Sequence, residues 1–188
     1  MRSTATRLDR SLVAKDLDAL PHEWDTRYEL VGGILYMSRR PSHEHQQIIQ
    51  RLAIKVGAAV LEAGGDAVPE PGVVWDDEGE DNVSPDYALL LRAAPPPPGQ
   101  KLRVTPDVIA EVLSSGDENR RRDLEAKRDL YFRQGALEYW ILDGASRSLT
   151  RLTRGARGWD EERLGPDDLL RTPLLPSWPG VRVAELFP

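Results

Sequence analysis

The chain has 188 residues, 25 Lys and Arg against 31 Asp and Glu, a formal net charge of −6 and no cysteine. This length suits one domain with a real core, and the missing thiols exclude a disulfide scaffold, a thiolate zinc site and a cysteine nucleophile. The acidic balance excludes a generally basic nucleic-acid coat, though not a local site.

No apolar run reaches the ~18–20 residues of a membrane-spanning helix. Met1 to Leu20 is charged throughout and lacks a signal-peptide core, so the expectation is a soluble, cytoplasmic protein without membrane association. Residues 1–12 read as a flexible tail and 13–188 as a single domain. A short helix is expected from Ala14 to Leu20, ended by Pro21. Tyr28–Val31 and Ile34–Met37, split by Gly32-Gly33, predict a hairpin. Ser42 is a candidate cap for a helix whose apolar residues Ile49, Leu52, Val56 and Val60 recur at helical spacing, closed by Gly64-Gly65.

Val73–Trp75 predicts a short strand, with Pro69 and Pro71 before it suggesting an extended approach or a sheet edge. Asp76 to Asp81 reads as a solvated hairpin tip, because it lacks the ligand spacing and central glycine of a calcium loop. Asp86 opens the apolar run Tyr87–Leu91, Pro95–Pro98 make an extended loop, and Val108–Leu113 is a second apolar strand. A helix is expected from about Glu118 to Gln134, stopped by Gly135, then a strand over Glu138–Leu142 that turns at Asp143-Gly144 into Ser148–Thr153. The tail is rich in Pro and Gly and ends in Val181–Phe187. Strands with crossing helices predict an α/β fold with a mixed central β-sheet flanked by helices.

Three residues break these patterns. A carboxylate inside an apolar strand is costly without a cation or hydrogen bonds, and Glu111 sits on the Ile109 and Leu113 face of such a strand. Asp86 enters the neighbouring strand after Pro85. Lys127, one of only four lysines, lies mid-arc on the inner face of its helix with Asp123, Leu124, Ala126, Leu130 and Tyr131. An i,i+4 pair of Asp123 with Lys127 accounts for it; so does a lysine aimed at Glu111 and Asp86. Two acids and an inward lysine suit a hard divalent ion and phosphodiester hydrolysis.

These residues carry a resemblance. Ser84-Pro85-Asp86, Pro106 to Ser114, Asp123 with Lys127, Tyr131, Gly135 and Glu138 to Asp143 resemble the Uma-type family of putative restriction endonucleases, of the PD-(D/E)XK, restriction-endonuclease-like fold. Tyr28 to Gly33, Ser42 to Leu52 with His45, and Leu175 to Phe187 are similar to the same family, so the resemblance spans roughly residues 14 to 188. It implies a divalent-metal-dependent endonuclease hydrolysing DNA, with Asp86 and Glu111 as ligands of Mg²⁺ or Mn²⁺, Lys127 as catalytic lysine and Glu29 as an auxiliary acid. Two departures stand out: Leu113 occupies the position where the general motif has its lysine, and Gly32 replaces an acid common in the family's turn.

His45 reads equally as a residue facing substrate phosphate or as a helix-start histidine. Arg39, Arg40 and Arg120–Arg122 are candidate phosphate contacts, Arg120 foremost, though solvated helix-end arginines are the commoner case. Phe132 falls on the charged side of its helix and marks a candidate contact for a homodimer. The alternative is a catalytically silent nuclease-fold module that binds nucleic acid or a protein partner. A two-carboxylate glycosidase leaves the inward lysine unexplained.

Overall fold

The computed structural model describes residues 12–21, 24–92, 94–113 and 122–188. The expectations for Arg120, Arg121 and the Arg122 side chain, the helix start near Glu118 and residues 1–11 of the tail therefore lie outside the described residues. Leu12, last in the expected tail, is already buried.

A 3-10 helix over Ala14–Ala19 leads into the hairpin β1 (Thr26–Val31) and β2 (Ile34–Arg39). Gly32 and Gly33 turn it with φ of 56° and 74°, the left-handed pair that a two-residue hairpin loop requires. The helix α1 (His43–Leu52) passes through a π-helical turn (Ala53–Gly57) into α2 (Ala58–Glu62). Ser42 caps it by accepting the His45 N–H at 3.2 Å. Short strands follow: β3 (Asp66–Pro69), β4 (Val73–Val74), β5 (Asn82–Val83) and β6 (Tyr87–Leu90). Then come β7 (Val108–Val112), a π-helical turn (Arg122–Ala126), α3 (Lys127–Arg133), β8 (Glu138–Asp143) and β9 (Ser148–Arg154). The chain ends in β10 (Trp159–Leu164), β11 (Leu169–Leu170), β12 (Val181–Arg182) and a 3-10 turn (Val183–Leu186).

The central sheet has six strands in the order β10-β9-β8-β7-β6-β3. The β7–β8 pair is parallel, bridged by a connection that carries α3, and its other pairs are antiparallel. It is thus a mixed sheet flanked by helices, with Pro69 at the end of the edge strand β3 as proline's missing donor demands. A second sheet runs β2-β1-β5-β4, and β11 pairs with β12.

Strand alternation divides the core in two. Val108, Ala110 and Val112 pack with Ile48, Leu52 and Val56 of the first helix and with the C-terminal Trp178 and Phe187. Ile109 faces the other way, onto Leu130 and Tyr131 of α3 and Val31, Val73 and Val83 of the smaller sheet. Glu111 shares that second face. The buried Asp107 accepts hydrogen bonds from the Leu91 and Arg92 N–H groups and pairs with the Arg92 guanidinium at 2.7 Å, pinning the proline-rich loop at its base. No helix among the described residues is long and apolar enough to cross a membrane.

Five strands differ from the sequence expectation: β3, β5, β10 and the β11–β12 pair occupy stretches with no strand pattern. Leu124 also departs, being exposed where the helical arc put it inside. Its segment is π-helical, and the wider turn rotates residues 122–126 away from the 100° spacing that the arc assumed. Phe132 is half-buried rather than on an open charged face. It packs edge-on against Trp159 with ring centroids 5.4 Å apart, beneath the Arg154 guanidinium.

Candidate active site

Four chain segments bring their ionisable groups to the second core face. Glu111 comes from β7, Lys127 from the first turn of α3, Glu29 from β1 and Asp86 from the residue before β6. Glu29 and Lys127 are 1% exposed, Glu111 2% and Asp86 4%. Such burial of charge is tolerated only with partners, and each group has them.

The Lys127 ammonium donates to Glu111 Oε1 at 2.8 Å and lies 2.9 Å from Glu29 Oε1. It thus bridges an acid of the large sheet and an acid of the small one. The i,i+4 pairing with Asp123 is not needed to explain an inward lysine, and the Asp123 side chain lies outside the described residues. The Tyr131 hydroxyl, one helical turn from Lys127, donates to the same Glu111 Oε1 at 2.8 Å. Burial and then the Glu111 charge push its phenol well above its ordinary value, so it stays a donor. Glu29 Oε1 also accepts the Ser84 N–H at 2.9 Å.

Asp86 lies beside this pair. β6 runs antiparallel to β7 with Tyr87 opposite Ala110, and one further step of that register sets Asp86 opposite Glu111. Asp86 Oδ2 accepts the Val112 N–H at 2.8 Å. Oδ1 faces His45 Nε2 at 3.2 Å and Arg27 Nη1 at 3.5 Å. Burial pushes the Asp86 carboxyl up, but His45, the Lys127 charge and the Val112 N–H outweigh it and hold the group below the usual carboxylate range. His45 is brought to the cluster from the third residue of α1, and its buried Nε2 has no partner in hydrogen-bond geometry.

All four acids and bases expected at the site therefore converge, with Lys127 directed at Glu111 and Glu29 and its charge felt at Asp86. Of the arginines, Arg39 and Arg40 do not reach it: Arg39 is exposed and Arg40 donates to the Trp24 carbonyl. Arg27, which sequence reasoning passed over, does. It stands two residues before Glu29 on the same face of β1, a period-two signal visible only once Glu29 is known to point inward. Its Nη2 pairs with Glu70 Oε1 at 2.5 Å.

Whether these residues suit a divalent ion depends on the donors. The register sets Asp86 and Glu111 opposite each other on neighbouring strands, and carboxylate oxygens are the donors that a hard ion such as Mg²⁺ or Mn²⁺ would take, with water completing the shell. No group of three or more His, Asp or Glu side chains positioned to hold a metal occurs among the described residues, so such an ion would rest on this pair.

Residues 14–184 match the family model Uma2, described as "Putative restriction endonuclease". Among solved structures, the chain is similar to a putative nuclease belonging to DUF820 from Anabaena variabilis ATCC 29413, with a TM-score of 0.75 and 17% sequence identity over 94% of this chain and 97% of that one. At that identity the likeness is one of fold. No curated protein matches the chain.

Proposed function

Since the chain belongs to the Uma2 family of putative restriction endonucleases and shares the fold of a nuclease-family protein, we propose that it is a divalent-metal-dependent endonuclease that hydrolyses DNA phosphodiester bonds. One observation carries this reading: a sealed lysine held by Glu111 and Glu29, with Asp86 across from Glu111. A purely structural strand pair has no need of three acids and a lysine at one point of its core.

Asp86 and Glu111 would hold the ion. When bound, it supplies charge that polarises the phosphoryl group and lowers the pKa of a water. The chain's own groups set the stage for this. The Val112 N–H fixes Asp86 Oδ2, and Tyr131 with Lys127 fixes Glu111 Oε1. Lys127 keeps a positive charge beside the carboxylates, where it stabilises negative charge developing on phosphoryl oxygens. Glu29, itself held by the Ser84 N–H, orients that ammonium. His45, buried with its Nε2 3.2 Å from Asp86 Oδ1, positions that carboxylate.

The test is nicking of supercoiled plasmid with Mg²⁺, Mn²⁺ or EDTA. Wild type should nick only with a divalent ion, and Asp86→Asn and Glu111→Gln should not nick at all. Intact plasmid and intact linear DNA of varied sequence and structure, with either ion, would reject the proposal. One observation favours a second reading as a silent binding module: Lys127 is closed off from solvent and saturated by its acids. Retarded DNA in a gel without cleavage, unchanged by the same substitutions, would select it.

A further inference from the structure

The basic side chains at the site differ in their access to solvent. Lys127 and His45 are both buried, whereas the Arg27 side chain is 26% exposed while still touching Asp86. Its two terminal nitrogens face different acids, Nη1 toward Asp86 Oδ1 and Nη2 toward Glu70 Oε1. The contact with Asp86, at 3.5 Å, is longer than a direct charged hydrogen bond.

Glu70 is placed for this contact at some cost. It is one of two non-glycine residues among those described with positive φ, at 48°. Its N–H donates to the Asp86 carbonyl at 3.1 Å, and its own carbonyl accepts the Ser84 hydroxyl at 3.2 Å. The left-handed backbone is thus pinned to the segment that carries Asp86. A strained residue held in this way beside a candidate site points toward function. The result is a part-exposed guanidinium at the solvent edge of the buried carboxylate cluster.

We infer that Arg27 grips a backbone phosphate of the nucleic-acid substrate at the solvent edge of the site, with Glu70 as the residue that positions it. This rests on the endonuclease reading and adds to it the group that presents the phosphodiester to Asp86 and Glu111. A guanidinium suits the task because its planar fork offers paired donors to two phosphate oxygens. Glu70 keeps that fork at the edge. The acid-lined centre behind it, which by itself repels a polyanion, then needs this cation in front to admit one.

The experiment is fluorescence anisotropy of a labelled duplex oligonucleotide titrated with the full chain across a KCl series, with Ca²⁺ in place of Mg²⁺. Loss of one charged phosphate contact should weaken binding about tenfold in Arg27→Ala. It should also lower the slope of log affinity against log salt by about one. Arg27→Lys should restore the slope, because the charge returns, without restoring full affinity. A merely structural role would leave the slope unmoved. Circular dichroism checks folding, and Arg27→Gln, polar and near in length, reads the same way should Arg27→Ala not fold. Wild-type binding with unchanged affinity and slope in Arg27→Ala and Arg27→Gln overturns the inference and leaves the endonuclease reading standing. Absence of any binding by wild type overturns both.

Discussion

Replacing Lys127 by methionine keeps most of the side-chain volume and removes the charge. The ammonium lies 2.8 Å and 2.9 Å from two carboxylates that, like itself, have at most 2% exposure. At an effective dielectric of ~20, each attraction is worth about 6 kcal/mol before desolvation is charged against it. Desolvation takes back several kcal/mol per ion, yet it is not recovered when only one partner leaves, and breaking a buried pair typically costs about 3–5 kcal/mol. Against a domain stability of roughly 5–15 kcal/mol this is a large share. With a urea slope of about 2 kcal/mol per M, the midpoint should fall by about 1.5–2.5 M. Adding Glu29→Gln to Lys127→Met removes one of the two stranded charges and should return at least about 1 kcal/mol. Equilibrium urea unfolding followed by tryptophan fluorescence measures both. A loss under about 1 kcal/mol in Lys127→Met, or no recovery in the double variant, would refute the electrostatic account of the site.

Three further outcomes are expected. In Gly57→Ala the new Cβ would stand 2.3 Å from the buried Tyr87 hydroxyl, so the thermal midpoint should fall, by about 1–3 kcal/mol of stability; an unchanged midpoint would show that the π-helical turn can yield. Asp107→Ala strands the Leu91 and Arg92 N–H groups, and limited proteolysis should then cut the proline-rich loop faster than in wild type. Glu138 is held above the usual carboxylate range by burial, against the hydrogen bonds from Trp140 and Thr172. A raised carboxyl binds its proton more tightly in the folded state. Its contribution to stability is therefore greatest at low pH and shrinks as pH rises through the ordinary value toward the raised one. Glu138→Gln should lose that slope, read as the difference between the urea midpoints of the two proteins from pH 4 to pH 7; parallel curves would refute it.

The legible parts of this molecule were those where a residue's type clashes with its surroundings. Glu111 interrupts five otherwise apolar buried positions, and Lys127 interrupts a helix's inner stripe, so both advertise a partner before any fold is known. The hairpin and the strands β6 to β9 announce themselves through glycine pairs and apolar runs. β10 does not: four of its six residues are exposed and charged, and it exists because its backbone completes a ladder with β9. β4 was readable in the apolar Val73–Trp75, but β5 has only two residues and is set by its pairing with β1 and β4, long-range contacts that no local pattern encodes. Arg27 was silent for a related reason. In sequence it is one charged residue in a polar lead-in, and only the packing of β1 against the large sheet turns it toward Asp86. His45 could be read either way until the helix start was seen to abut Asp86.

The bridge from Glu29 through Lys127 to Glu111 is also the seam between the two sheets. A chain of this fold that cleaves nothing would still need the lysine, since discarding it leaves two buried acids without their shared cation. It is Asp86 across from Glu111, and not the bridge alone, that gives the cluster its reading as a catalytic centre. Groups at the solvent edge are under no such obligation. Arg27 and Glu70 touch solvent, and if Arg27 grips phosphate as inferred, the pair is free to drift in a chain that meets none, so its retention speaks to binding where the buried triad stays mute.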